Sequence, residues 1–315
     1  MIALENIHQC AKEQLFNKDY YEKTFRLGCL LQNFEKNEIL QNNYICKGGA
    51  STCLFDSSFS RLFSDIDFDY HASVMNETEM LENRKLLRNI LLEEVHKMGY
   101  EISPKSRFSY GTDSYLIKYI NQSHNYDYLK IDLNYSLRNH IMHTEKKTIY
   151  NQNFDMSFTY HSLASLELLG TKIKALIQRG GSKDLYDVYV LLSKIKYIDR
   201  ELLKKIVLFY DSISNMENHF VDNTWMNKIA AIDERNCRRA LYPVIPKHHH
   251  FSLQETKEFV IPFLEELFVL TEEEKDFLIS FEKGHYYPEH LFKQKEYVKR
   301  IEMHPMAKWY ERHRK

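Results

Sequence analysis

The stretch that most constrains this chain runs from Tyr44 to Tyr70 and reads YICKGGASTCLFDSSFSRLFSDIDFDY. A short apolar run ends in the glycine pair Gly48 and Gly49. The hydroxyl residues Ser51 and Thr52 follow, and the stretch closes on an alternating acidic segment, Asp65-Ile66-Asp67-Phe68-Asp69. In a strand, successive side chains point to opposite faces, so Asp65, Asp67 and Asp69 share one face while Ile66, Phe68 and Tyr70 turn to the core. Carboxylates this close repel one another unless positive charge sits between them. Magnesium, which takes hard oxygen ligands and leaves positions for phosphate, meets that need. An Asp-x-Asp on its own reads as a solvated strand edge, but the order here adds to it. Glycines let a backbone approach phosphate oxygens, and hydroxyls and amides can hold a triphosphate tail next to the metal.

The rest of the chain supplies a scaffold for that stretch. Its 315 residues allow two modest domains, or one catalytic core with a helical extension. Only nine glycines and six prolines argue against long flexible linkers, and the net charge of −1 excludes a protein that coats nucleic acid by bulk charge. Five cysteines without a Cys-x-x-Cys pair read as free thiols in a reducing compartment. No run approaches 18 apolar residues and no signal-peptide pattern opens the chain, so a soluble cytoplasmic protein is expected.

Residues 1–40 read as helices, with Asn17 or Asp19 capping one that carries Leu27, Leu30, Leu31 and Phe34 at helical spacing. Tyr44 to Lys47 reads as the first core strand, with a helix from about Ala50 and the acidic strand near Asp65. Glu77 to Met98 is a long helix ended by Gly99. Three strand-like runs follow, Tyr100–Ser103, Ser114–Ile120 and Tyr128–Tyr135, the last two forming an antiparallel hairpin. In the final run Ile131 and Leu133 face one way, and Lys130, Asp132 and Asn134 the other. Beyond residue 150 the chain is expected to turn helical. Ser162 to Gln178 is amphipathic, Gly180-Gly181 breaks it, and Ser182 caps a helix from Lys183 to Lys194. Further helices are expected at Arg200–Tyr210, Trp225–Arg238, Leu253–Leu270 (kinked or split by Pro262), Glu272–Phe281 and His290–Glu302. Glu289 to Lys315, with eight Lys/Arg against four Glu, is the most basic part and the best patch for an RNA backbone or an acidic partner.

Lys47-Gly48-Gly49, then Arg61, then Ser64-Asp65-Ile66-Asp67-Phe68 resembles the KGG…R…S-DIDF signature of the AbiEii/AbiGii toxin family, nucleotidyltransferases of the DNA-polymerase-β type. Ala50 stands where the family usually has Thr, with Ser51 and Thr52 next. Lys172, Ala175, Leu176, Arg179 and Lys183-Asp184-Leu185-Tyr186-Asp187 look like the family's K…AL..R…RD-YD block, with Lys183 in place of Arg. Asp184 is explained by the first turn of a helix, where an acid is favourable for dipole reasons alone. Asp187 is not, and is the preferred functional acid. Lys172 has the ordinary reading of a solvated helix face.

The resemblance spans roughly residues 15–195. It implies an α+β fold: a polymerase-β-type core, a mixed sheet flanked by helices, over residues 1–155, and a helical domain over 156–315 that completes the site. It implies magnesium-dependent transfer of an NMP from an NTP to an acceptor hydroxyl, with RNA or tRNA 3' ends as acceptor, in a toxin of an abortive-infection, phage-defence system with a separately encoded antitoxin. Asp65, Asp67 and, by resemblance, Asp132 would hold two magnesium ions. Lys47 or Lys172 would neutralise the leaving pyrophosphate. Lys47, Gly48, Gly49, Ser51 and Ser64 would seat the nucleotide, and Asp187 would hold a lysine or the sugar. Two alternatives remain: transfer to a protein hydroxyl, and a non-catalytic module that keeps the fold to bind a nucleotide or partner.

Overall fold

The computed structural model describes residues 3–55, 60–71, 77–214 and 224–313. The chain divides into two compact units. One comprises Met1–Arg138, Thr144–Leu163 and Pro243–His248, the other Asn139–His143, Ala164–Tyr242 and His249–Lys315.

The first unit opens with helices α1 (Ile7–Glu13), α2 (Lys18–Glu35) and α3 (Glu38–Asn43), as its helical periodicity predicts. Asn17 caps α2 by accepting from the amides of Asp19 and Tyr20. Then come β1 (Tyr44–Lys47), the short α4 (Gly48–Cys53), β2 (Asp65–Tyr70) and α5 (Glu77–Lys97). The strands β3 (Glu101–Ile102), β4 (Arg107–Phe108), β5 (Thr112–Ile120) and β6 (Tyr126–Asn134) follow, and β5 and β6 form the expected hairpin. The chain does not turn helical at residue 150. A second hairpin, β7 (Glu145–Asn151) and β8 (Met156–Ser162), carries the sheet past the residue-155 boundary read from the sequence. Its alternating burial, with Met156, Phe158 and Tyr160 inward, is a strand period, and a helix would have exposed part of that set.

The described strands make one mixed sheet of order β3-β5-β6-β2-β1-β8-β7, with β4 on β5. Two contacts are parallel, β2 with β6 and β1 with β8; the rest are antiparallel. One face is apolar. Tyr44 stacks near Phe68 at 4.9 Å between ring centres, and Phe154 from the β7–β8 turn meets Tyr21 and Phe25 of α2 at 4.7 and 5.6 Å. Burying one such phenylalanine contributes on the order of 2–3 kcal/mol. Two buried polar groups of α2 fix how the sheet is held. The Thr24 hydroxyl donates to the Phe63 carbonyl at 2.7 Å, just ahead of β2. The Glu22 carboxylate accepts from the Gln122 amide at 2.9 Å in the β5–β6 turn, and from Arg26. Buried acceptors satisfied this way cost little, whereas unpaired they would cost about 1–3 kcal/mol each.

The second unit is helical, with α6 (Ser165–Arg179), α7 (Ser182–Lys194), α8 (Arg200–Ser212) and further helices to His313. Gly180 ends α6 in the left-handed conformation, φ 58°, its amide returning to Leu176. The cap position of α7 is Gly181, not Ser182, whose hydroxyl instead donates to the Asn236 carbonyl at 3.1 Å. Leu253–Leu267 runs through Pro262 unsplit, anchored on both sides of it by buried Val260, Leu264 and Leu267. The segment expected as one helix over 290–302 is two, Pro288–Leu291 and Lys295–Ile301. Within it Arg300 donates to the carbonyls of His140 and Met142, and Lys293 pairs with Glu273, so part of its positive charge is committed to the unit itself. Residues 314–315 of the basic segment lie outside the described residues.

Candidate active site

Strand register builds the site. Asp67 lies opposite Lys47 of β1 on one side and Asp132 of β6 on the other, and Asp132 lies opposite Ser114 of β5. Register partners share a face, so Ser114, Asp132, Asp67 and Lys47 form one row across four strands. The next row brings Lys130 of β6 beside Asp65 of β2. Parallel pairing of β2 with β6 is what places the third carboxylate on the face of the first two. Had the register slipped by one residue, Asp132 would point into the core.

Each acid has a local partner. Ser114 Oγ donates to Asp132 Oδ1 at 2.6 Å, and Lys130 Nζ meets Asp132 Oδ2 at 2.5 Å. Burial alone would lower the Lys130 ammonium's pKa. The hydrogen bond and charge of Asp132, with the charges of Asp65 and Asp67 behind it, instead hold it above the ordinary lysine range. Ser64 Oγ reaches Asp65 Oδ1 at 3.4 Å. Asp69, the last acid of the alternation, is buried and ion-paired with Lys47.

The glycine pair has a physical reason. Gly48 adopts φ 63°, and a β-carbon there would collide with Asp67 Oδ2. A β-carbon on Gly49 would lie 2.9 Å from Nη2 of Arg61, which is buried and donates to the Leu62 carbonyl at 2.8 Å. The glycines thus let the backbone lie directly against the Asp67 carboxylate and the Arg61 guanidinium. Ser51 is buried, its hydroxyl on Ser162 at 2.7 Å, and the Thr52 hydroxyl donates to the Gly48 carbonyl at 3.0 Å. Both hydroxyls therefore shape the turn from inside.

In the second unit, Lys172 is not on a solvated helix face. Its ammonium pairs with Asp187 at 2.8 Å, the two residues 5% and 1% exposed. The α6–α7 turn at Gly180 and Gly181 makes this pairing, because a short connection sets the two helices antiparallel. Asp184 takes a two-pronged bond from Arg179, both contacts 2.6 Å, and is accounted for structurally.

Among the described residues, no three His, Cys, Asp or Glu side chains stand as a ready-made metal cluster. The residues nevertheless fit magnesium. The donors are all hard oxygens, and the charges of Asp132, Asp65 and Asp67 already hold a cation, the Lys130 ammonium. Sequence reading assigned no role to Lys130, Ser114 or Arg61. Lys130 was legible on the polar face of its strand, but Ser114 depends on register, which one sequence does not display.

A family model described as the nucleotidyl transferase AbiEii toxin, type IV toxin–antitoxin system, matches residues 36–285. No curated protein matches the sequence. Among solved structures, the chain is similar to MenT4, a nucleotidyltransferase toxin from Mycobacterium tuberculosis. The two share 13% identity and a TM-score of 0.61, over 98% of this chain and 99% of that one, a likeness of fold. An antigenic nucleotidyltransferase-like protein from Paracoccidioides brasiliensis reaches a TM-score of only 0.37 at 16% identity, over 71% of this chain and 97% of its own. Among the described residues no helix is long and apolar enough to cross a membrane.

Proposed function

The chain belongs to the AbiEii nucleotidyltransferase toxin family of type IV toxin–antitoxin systems, and from that premise we propose that it uses magnesium to transfer an NMP from an NTP to a hydroxyl on an RNA, a tRNA 3' end above all. The observation that carries this reading is the row of Asp67 and Asp132 side by side on parallel strands, with the Gly48 backbone lying against the Asp67 carboxylate.

Asp65, Asp67 and Asp132 would hold two magnesium ions, which bound there supply neutralisation of the triphosphate and a lowered pKa for the acceptor hydroxyl. Asp132, oriented by Ser114, takes up the proton from that hydroxyl. Gly48 and Gly49 bring the backbone up to the triphosphate, with Ser64 beside Asp65 completing the seat and Ser51 contributing through its main chain. Lys47 steadies Asp69 and offers charge to the leaving pyrophosphate. On the resemblance of their sequence block, Lys172 and Asp187 are carried forward as a pair needed for transfer. The sheet-bearing unit, which reaches Leu163, and the helical residues beyond it are the proposed division of labour, in a cytoplasmic toxin of phage defence restrained by its own antitoxin.

The test is incubation of total RNA with the protein, magnesium and each labelled NTP in turn, beside Asp67→Asn. Label in a discrete RNA, absent with the variant, is the expected result. A shift in the protein's own intact mass with no labelled RNA would move the acceptor to a protein hydroxyl. Absence of any transfer with all four NTPs and both acceptor types would sink the catalytic reading.

A further inference from the structure

The Lys130 side chain is the one feature of the carboxylate face that the proposed chemistry does not use. It stands opposite Asp65 in register and two residues from Asp132 on the same strand, so it lies on the same face as both. Its ammonium bonds Asp132 at 2.5 Å and is 43% exposed at the side chain, so it has a route out to solvent on a flexible four-carbon stem. Lys130 thus gives the acids at this end of the face a cation bonded directly to Asp132.

We infer that Lys130 is the resident counter-ion of the site: it holds Asp65, Asp67 and Asp132 in place before metal binds, and must swing away from Asp132 for metal to enter. This rests on the reading of the row as the metal site. The physical case is competition. An ammonium donating to Asp132 Oδ2 occupies the lone pairs that a divalent ion needs, and a hard divalent cation outbids it only by displacing it. The released amine is then free to meet phosphate oxygens, which makes Lys130 a positioning residue that keeps the empty site from flying apart by self-repulsion.

The experiment is a nucleotide-free titration of the full-length protein with Mn2+, followed by electron paramagnetic resonance of the unbound ion, for the wild type, Lys130→Met, Lys130→Arg and Asp67→Asn. Lys130→Met should bind Mn2+ at least about tenfold more tightly, the scale of removing one charged hydrogen bond, and Lys130→Arg should stay near the wild type. Lys130→Gln, measured beside it, reports the same quantity should the methionine variant fail to fold. Equal or weaker binding in the neutral variants, with binding lost in Asp67→Asn, would overturn the counter-ion role and leave the metal-site reading standing. Unchanged binding in Asp67→Asn would overturn both.

Discussion

Asp113 and Ser114 are neighbours on β5, yet they serve opposite faces of the sheet and two kinds of acid. Asp113 faces the core, fully buried, and receives hydrogen bonds from Arg84 and Arg88 of α5 and from the Tyr135 hydroxyl at 3.1 Å. Ser114 faces the other way and donates to Asp132, which also bonds the Lys130 ammonium, with the charges of Asp65 and Asp67 nearby. The structural acid thus sits between two guanidiniums, while Asp132 across the sheet meets one ammonium and one hydroxyl. Burial would raise the pKa of Asp113, but the bonds from Arg88 and Arg84 outweigh it and hold the carboxyl below the usual range. The buried acid is matched by planar, bidentate donors, whereas Asp132 is held by a flexible ammonium that reaches solvent.

The largest effect that bears on this contrast is expected from Asp67→Asn. Transfer should fall at least about a thousandfold, while denaturant unfolding shows the same or slightly higher stability, because like-charge repulsion is relieved. An active Asp67→Asn protein would end the two-metal mechanism. Asp113→Asn should do the reverse. It strands two arginines against the core, so urea melts should show a loss of about 3–5 kcal/mol, with transfer per folded molecule unchanged.

The second unit sharpens the comparison, since Lys172 and Asp187 are buried and paired with each other. Lys172→Ala or Asp187→Ala should reduce transfer by at least about a hundredfold and also destabilise, because each breaks a buried ion pair. Lys172→Met combined with Asp187→Leu separates the two effects: stability should return, and transfer should not. If transfer returns as well, the pair is structural only.

Smaller still is Gly48→Ala. Its positive φ and the collision with Asp67 should cost about 1–2 kcal/mol of stability, with a larger proportional loss of transfer. The mildest prediction concerns pH. The Asp113 carboxyl is held below its ordinary range when folded, so the unfolded chain takes up the proton first. Its stabilising contribution is whole above about pH 4 and is lost as the pH falls further. Melting curves below pH 4 should therefore drop more steeply for the wild type than for Asp113→Asn.

Much of this was legible in the chain because period and punctuation agree there. β1 ends at the glycines, β2 alternates acid and apolar, and Asn17 marks the start of α2, so each element declares itself locally. The β7–β8 hairpin alternates too, but its outward residues are polar and its strands lie towards one end of the sheet, beside a strongly amphipathic helix that draws the eye. What no local pattern carries is register between distant strands. That Asp132 lies beside Asp67, and that Ser114 reaches Asp132, follows from tertiary pairing alone. The burial of Lys172 was likewise hidden, since a lysine on an amphipathic helix reads as solvated until its partner across the turn is known.

The parallel pairing of β2 with β6 also sets an order of events in time. Asp65 and Asp67 leave the ribosome well before Tyr126–Asn134, the strand that delivers Asp132 and Lys130, and β1 must wait longer still for His161 to settle against Ile45. Contacts between such distant segments form late, because the intervening chain must first give up its freedom. The three carboxylates therefore come together only once residue 134 has been made, however early the acidic strand is finished.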